Sequence, residues 1–176
     1  FDAAHLLAFL ALRAVPGVEH VAGHVYSRSL RLAGGNGVIA VDLGSSPITC
    51  SLVLDDLADV QAAVQRTRRL LDLDCDPTAV NDVLARDEML APLVVARPGL
   101  RALGHPDGTE LLVRAVLGQQ VSVAGARTLA RRLVEAHGEA LARPVDGVTH
   151  AFPAAATVAA MHPADEFTAM AALIDG

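Results

Sequence analysis

A chain of 176 residues with 52% hydrophobic and 19% charged side chains and a formal charge of −6 has a globular composition, which excludes a disordered or collagen-like chain. Folding at this length removes about 68–70% of the surface of the unfolded chain, so a core can form without disulfide or metal support. All 14 basic residues are arginine, so chemistry that needs a Schiff-base lysine or a phosphate-loop lysine is excluded for this stretch.

Residues 5–15 are nearly all apolar around Arg13 and predict a helix buried on most sides, ending at Pro16 and Gly17. Three segments then alternate with period two: 24–32, 38–43 and 48–54. Ile39, Val41 and Leu43 share one face, as do Ile48, Cys50, Leu52 and Leu54, and the Gly-rich stretch 34–37 and 44–47 supply turns. This predicts a small antiparallel meander. Asp55 or Asp56 can cap a following helix over 57–71, with Leu57, Val60, Val64, Thr67 and Leu71 as its inward stripe. From Asp76 and Pro77 onward the strand signal disappears, and short helices are expected at 77–86, 88–96, 107–117, 121–137, 153–161 and 163–174. The expected division is therefore an α+β domain over 1–76 and an all-helical region over 77–176, with a connector near 97–104 where Pro98 stops a helix.

Charge is unevenly placed. Residues 97–132 carry a net +4, whereas 55–96 and 133–176 each carry −5. A negative whole argues against nucleic-acid binding by the general surface, but a local arginine cluster can still contact phosphates. Cys50 and Cys75 have no metal-ligand spacing, and His20 and His24 lack the glutamate of a zinc motif, so no metal or cofactor is expected. No apolar run approaches the ~20 residues of a membrane span, and no secretory pattern opens the chain, so a cytoplasmic location is expected. The chain begins at Phe1 and ends just after an apolar segment, and it reads as part of a longer protein.

The segment from Arg114 to Val123 stands out. An amphipathic helix stops at Gly118, and Gln119 and Gln120 precede the next helix with Arg127, Arg131 and Arg132 following. Paired amides there can read base edges in a minor groove or fill the gap left by a displaced base; the alternative is an ordinary polar turn.

Gly118, Gln119, Gln120, Val121 and Ser122 resemble the wedge loop of the helix-hairpin-helix DNA glycosylases. Four further segments narrow the resemblance to the AlkA-type DNA-3-methyladenine glycosylase II. They are Phe-Leu-Ala-Leu-Arg-Ala-Val at 9–15 with Val18 and Glu19, Tyr-Ser-Arg-Ser-Leu at 26–30, Arg-Leu-Leu-Asp-Leu-Asp-Cys-Asp-Pro at 69–77, and Ala-Arg-Pro-Gly-Leu-Arg at 96–101. The resemblance implies an amino-terminal antiparallel sheet like half of a TATA-binding protein, followed by a glycosylase domain with its active site in a cleft. It implies base-excision repair of double-stranded DNA by hydrolysis of the N-glycosidic bond of 3-methyladenine and 7-methylguanine. By matching position, Phe9 and Arg13 would line the base pocket, and Gln119, Gln120 and Ser122 would contact DNA, with Gln120 at the wedge.

The family's Leu-Pro-Gly-(Ile/Val)-Gly hairpin and its catalytic aspartate are expected after Gly176, so none of the 20 acidic residues is assigned a catalytic role. Val15, Pro16, Gly17 and Val18 imitate that hairpin but continue with Glu19. The 176 residues alone are expected to be inactive. The alternative function is a non-catalytic DNA-binding or lesion-sensing module, and some relatives carry an Ada-like region ahead of the glycosylase.

Overall fold

The computed structural model describes residues 2–161. Helix α1 (Ala3–Arg13) starts where the Asp2 carboxylate accepts the His5 N–H at 3.0 Å, and it buries Leu6, Leu7 and Leu10. Four antiparallel strands follow in sequence order: β1 (Glu19–Ala22), β2 (Val25–Leu32), β3 (Gly35–Asp42) and β4 (Thr49–Leu54). Pairing of Ser29 with Val38 and of Ile39 with Leu52 sets the register, so Ile39, Val41, Leu43 and Leu54 face one side with Tyr26 and Leu30. That side is covered by α1 and by α2 (Val60–Leu70), which makes the larger core.

The stripe expected along α2 holds at its end, where Thr67 and Leu71 are buried, but at its start Val60 and Val64 are 40% exposed. Ala63, Thr67 and Leu70 are the buried positions of the helix, while Leu57 is 79% exposed. The cause is local: residues 57–59 form a single 3-10 turn, capped where the Asp56 carboxylate accepts the Ala58 N–H. That tighter turn swings Asp59 inward, where its carboxylate accepts the Gly34 N–H at 2.8 Å.

Helices α3 (Pro77–Leu84), α4 (Ala91–Ala96), α5 (Gly108–Leu117) and α6 (Val123–His137) follow. The expectation of helices alone after Asp76 does not hold. Residues after α6 form a hairpin, β5 (Glu139–Val145) and β6 (Val148–Ala151), before the short α7 (Ala155–Ala160). Its turn uses Asp146 and Gly147 with φ of 43° and 83°, an Asp-Gly hairpin signal that the helical reading passed over. The helix expected over 163–174 lies outside the described residues.

The hairpin packs on the second face of the four-stranded sheet. Leu141, Val148 and Ala151 bury against Val38, and the Gly17 carbonyl accepts the Thr149 and His150 N–H groups at 2.7 and 2.9 Å. Small Ser27 and Ser29 on that face let it approach, so β2 is buried on both sides. Gly17, at φ 87°, presents its carbonyl from a backbone conformation that favours glycine. Phe152, just beyond β6, joins Val15, Val18, Ala130 and Val134 in a second core that ties α6 to the α1–β1 connection. By contrast α3 and α4 bury no residue, and Met89, Leu93, Val95, Leu112 and Val116 are open to solvent.

Candidate base pocket and nucleic-acid interface

A cleft of about 480 Å³ opens between the end of α1, the turn joining α5 to α6, and the extended segment around Leu103 to His105. Its floor is ionic. Arg28 stands on the apolar, helix-covered face of β2 with only 1% of its surface exposed, and its Nη2 donates to Glu110 Oε2 at 2.6 Å. Glu110 Oε1 accepts Arg114 Nη1 at 2.9 Å, and the same nitrogen reaches Glu19 Oε2 at 2.8 Å. Glu19 also accepts the Tyr26 hydroxyl at 2.6 Å and the Val15 N–H at 3.0 Å. Two carboxylates and two guanidinium groups thus form a closed circuit, with His105 Nε2 3.4 Å from Glu110 Oε1.

The electrostatic consequences follow from that circuit. Burial alone would raise the Glu110 carboxyl and lower the Arg28 guanidinium, but each is opposed by its partner. Arg28, His105 and Arg114 hold Glu110 well below the usual carboxylate range, while Glu110, Tyr26 and Glu19 hold Arg28 charged. Burial, reinforced by the neighbouring Glu19, pushes the Tyr26 hydroxyl well up. Glu19 is an acid in the lining of the cleft, yet its two oxygens receive donors from Tyr26, Val15 and Arg114. Those bonds suit a structural carboxylate rather than a base open to substrate.

Phe9 and Arg13, one turn apart on α1, both line the cleft, and the Arg13 guanidinium lies 3.7 Å from the Phe9 ring centroid. Arg114 Nη2 donates to the Arg13 carbonyl at 2.7 Å, so the ionic circuit also fixes the end of α1. Ser122 lines the cleft too, and its hydroxyl accepts the Gly125 N–H at 3.1 Å as the N-cap of α6.

Gln119 and Gln120 sit in the exposed turn between two cleft-lining residues, Gly118 and Val121. Gln119 Nε2 folds back on the Ala115 carbonyl at 2.9 Å. Gln120 adopts φ 60°, the left-handed region, which turns the chain sharply and leaves its side chain exposed. Val121 and Val123 follow the pair at 40% and 43% exposure, so this turn presents amides and apolar side chains together. Arg127 lines the cleft as an exposed cation. Arg28, Glu110 and Arg114 were not singled out as site residues from sequence. The available signal was an arginine inside a strand whose alternate positions are Tyr26 and Leu30.

The sequence model of the AlkA N-terminal domain family matches residues 1–107, more than half of the chain. The chain belongs to that family. Among curated relatives of this AlkA N-terminal domain, it is 44% identical over 154 residues to the "Probable bifunctional transcriptional activator/DNA repair enzyme AlkA" of Mycobacterium tuberculosis, covering 88% of this chain and 31% of that protein. It is 41% identical over 143 residues to "DNA-3-methyladenine glycosylase 2" of Escherichia coli, covering 80% of this chain and 49% of that one. The chain thus spans about a third to a half of the length of these two relatives. The solved 3-methyladenine DNA-glycosylase from Archaeoglobus fulgidus superposes with a TM-score of 0.73 at 22% identity, over 86% of this chain and 52% of that structure, which establishes a shared fold. The structure and family match agree with the α+β class and the AlkA resemblance read from sequence. No described helix is long and apolar enough to cross a membrane.

Proposed function

We propose that these residues form the amino-terminal part of a monofunctional DNA glycosylase that removes alkylated purines from double-stranded DNA. The division near Asp76 would separate a supporting α+β unit from the first helices of the DNA-reading region. The observation that carries the reading is the cleft itself, where an aromatic and a cation from α1 meet the wedge-like turn from α5 to α6. An alkylated purine pairs poorly, so extruding it costs less than extruding a normal base, and its positive charge makes it a good leaving group. Phe9 would stack on the extruded base, and Gln120 would occupy the vacated position in the duplex, with Gln119 and the Ser122 region holding the minor groove. Hydrolysis also needs a carboxylate near the sugar to stabilise oxocarbenium-like charge, and we assign it to sequence following Gly176. The 176 residues alone would release no base.

In a full-length protein, Gln120→Ala is expected to weaken binding to abasic-site DNA and to slow single-turnover excision of 3-methyladenine, each by about tenfold, the scale of one lost stacking-type contact. Its melting temperature should not fall, because the Gln120 side chain is exposed. Unchanged excision and abasic-site affinity would end the wedge assignment. Lesion binding without base release by the full-length protein would favour a lesion-sensing module.

A further inference from the structure

Phe9 divides two cavities. It lines the large cleft and also a smaller one of about 220 Å³ bounded by Leu6, Leu100 and Leu103. Arg13 belongs to the lining of the large cleft with Phe9 and not to that of the small one. In the large cleft, which both side chains line, the Arg13 guanidinium lies 3.7 Å from the Phe9 ring centroid. Among the described residues no carboxylate pairs with Arg13; its other recorded side-chain bond is a long one, 3.4 Å, from Nη1 to the Phe9 carbonyl. Glu19 lines the same cleft but is engaged by Tyr26, Val15 and Arg114. The guanidinium is thus held chiefly by the ring it covers.

We propose that Arg13 is a tethered competitor that lowers the pocket's preference for cationic over neutral damaged bases. This rests on the reading of the cleft as a base pocket. A cationic purine can stack on Phe9 only by displacing another cation from the same face, so the ring's attraction for positive charge is cancelled in the exchange. The displaced guanidinium remains tethered one helical turn away, where it repels the newcomer in a cleft that excludes part of the solvent. A neutral base that takes the same face also displaces the guanidinium but is not repelled by it, so the repulsion is what separates the two classes. Its ring can stack with the planar guanidinium, and its carbonyl or ring-nitrogen acceptors can receive the N–H donors of Arg13. Arg13 therefore sets selectivity by charge, whereas Phe9 supplies stacking to either class.

The test uses the full-length protein with Arg13→Met, which keeps the apolar stem and removes the charge, and Arg13→Lys, which keeps a cation. Single-turnover excision is measured on duplexes containing 7-methylguanine, a cation, or hypoxanthine, a neutral base. Arg13→Met should raise the cation-to-neutral excision ratio by about tenfold, within the range of a desolvated cation–π contact, and Arg13→Lys should leave it within about twofold of wild type. Adding Phe9→Leu to Arg13→Met should abolish the gain. An unchanged ratio, or parallel loss on both bases, would overturn the proposal.

A second measurement separates this proposal from the glycosylase reading. NMR titration with 3,9-dimethyladeninium, a permanently cationic purine, and with 9-methylhypoxanthine reports binding to the cleft without base release. Tighter binding of the cation to Arg13→Met than to wild type, with 9-methylhypoxanthine no tighter, supports the role of Arg13 even if no variant excises any base. That second result would refute the enzyme assignment alone. No binding of the cation to any variant would overturn the competitor role.

Discussion

Arg28→Met is expected to destabilise the protein by about 3–5 kcal/mol, because it leaves Glu19 and Glu110 buried beside a single guanidinium, that of Arg114. Glu110→Met should cost a similar amount by stranding Arg28. The double replacement should be milder than either single change, since Glu19 and Arg114 then remain as a matched pair 2.8 Å apart. Urea unfolding of the four proteins gives the coupling directly, and additive losses would show that the circuit does not act as a unit. The same circuit sets an acid limit. The Glu110 carboxyl is depressed in the fold relative to about 4.3 unfolded, so its contribution is complete above about pH 5 and is lost as pH falls toward the folded value. In the Arg28→Met, Glu110→Met double variant, stability should fall less steeply between about pH 5 and 3 than in the wild type.

Phe152→Ala is expected to cost about 3–5 kcal/mol through lost burial and a cavity among Val15, Val18, Ala130 and Val134. The loss should be concentrated in one place. Phe152 anchors the end of the β5–β6 hairpin, and its carbonyl accepts Arg31 Nη2 at 3.0 Å. Hydrogen exchange should therefore accelerate first at Thr149 and His150, whose N–H groups bond the Gly17 carbonyl, and later in β3. Uniform acceleration across the sheet would show that the hairpin does not open as a separate unit.

Three of the meander's four strands were legible, with Ile39, Val41 and Leu43 buried as their alternation predicts, whereas β1 has no apolar alternation, its buried position being Glu19, and lay outside the expected segments. The helices expected at 77–86 and 107–117 are found as α3 and α5, and the structure adds their caps: Asp76 and Asp107 accept the N–H groups of Thr78 and Glu110. The hairpin at 139–151 was not legible, since β5 has a single buried position, Leu141, and its pairing is irregular between Ala140 and Val145. No strand period survives that irregularity. The ionic floor was hidden for a different reason. Arg28 and Glu110 are 82 positions apart, and no local pattern marks two charges as partners. Phe9 and Arg13 were placed in one cleft by helical spacing and by family resemblance, but the guanidinium lying on the ring depends on side-chain conformation, which spacing does not determine.

The hairpin's position against β2 and β3 has a consequence for how the chain is made. Strands β1 to β4 are complete by Leu54, yet the surface bearing Ser27, Ser29 and Val38 is covered only once Leu141 and Val148 exist. At about 5–20 residues per second, a ribosome needs roughly 5–20 s to synthesise that interval. Throughout it the nascent sheet is bare on one side, and until Glu110 is made Arg28 lacks that partner on the other. Hsp70-type binding during translation would fall in that window, and pausing between Leu54 and Val148 would lengthen it.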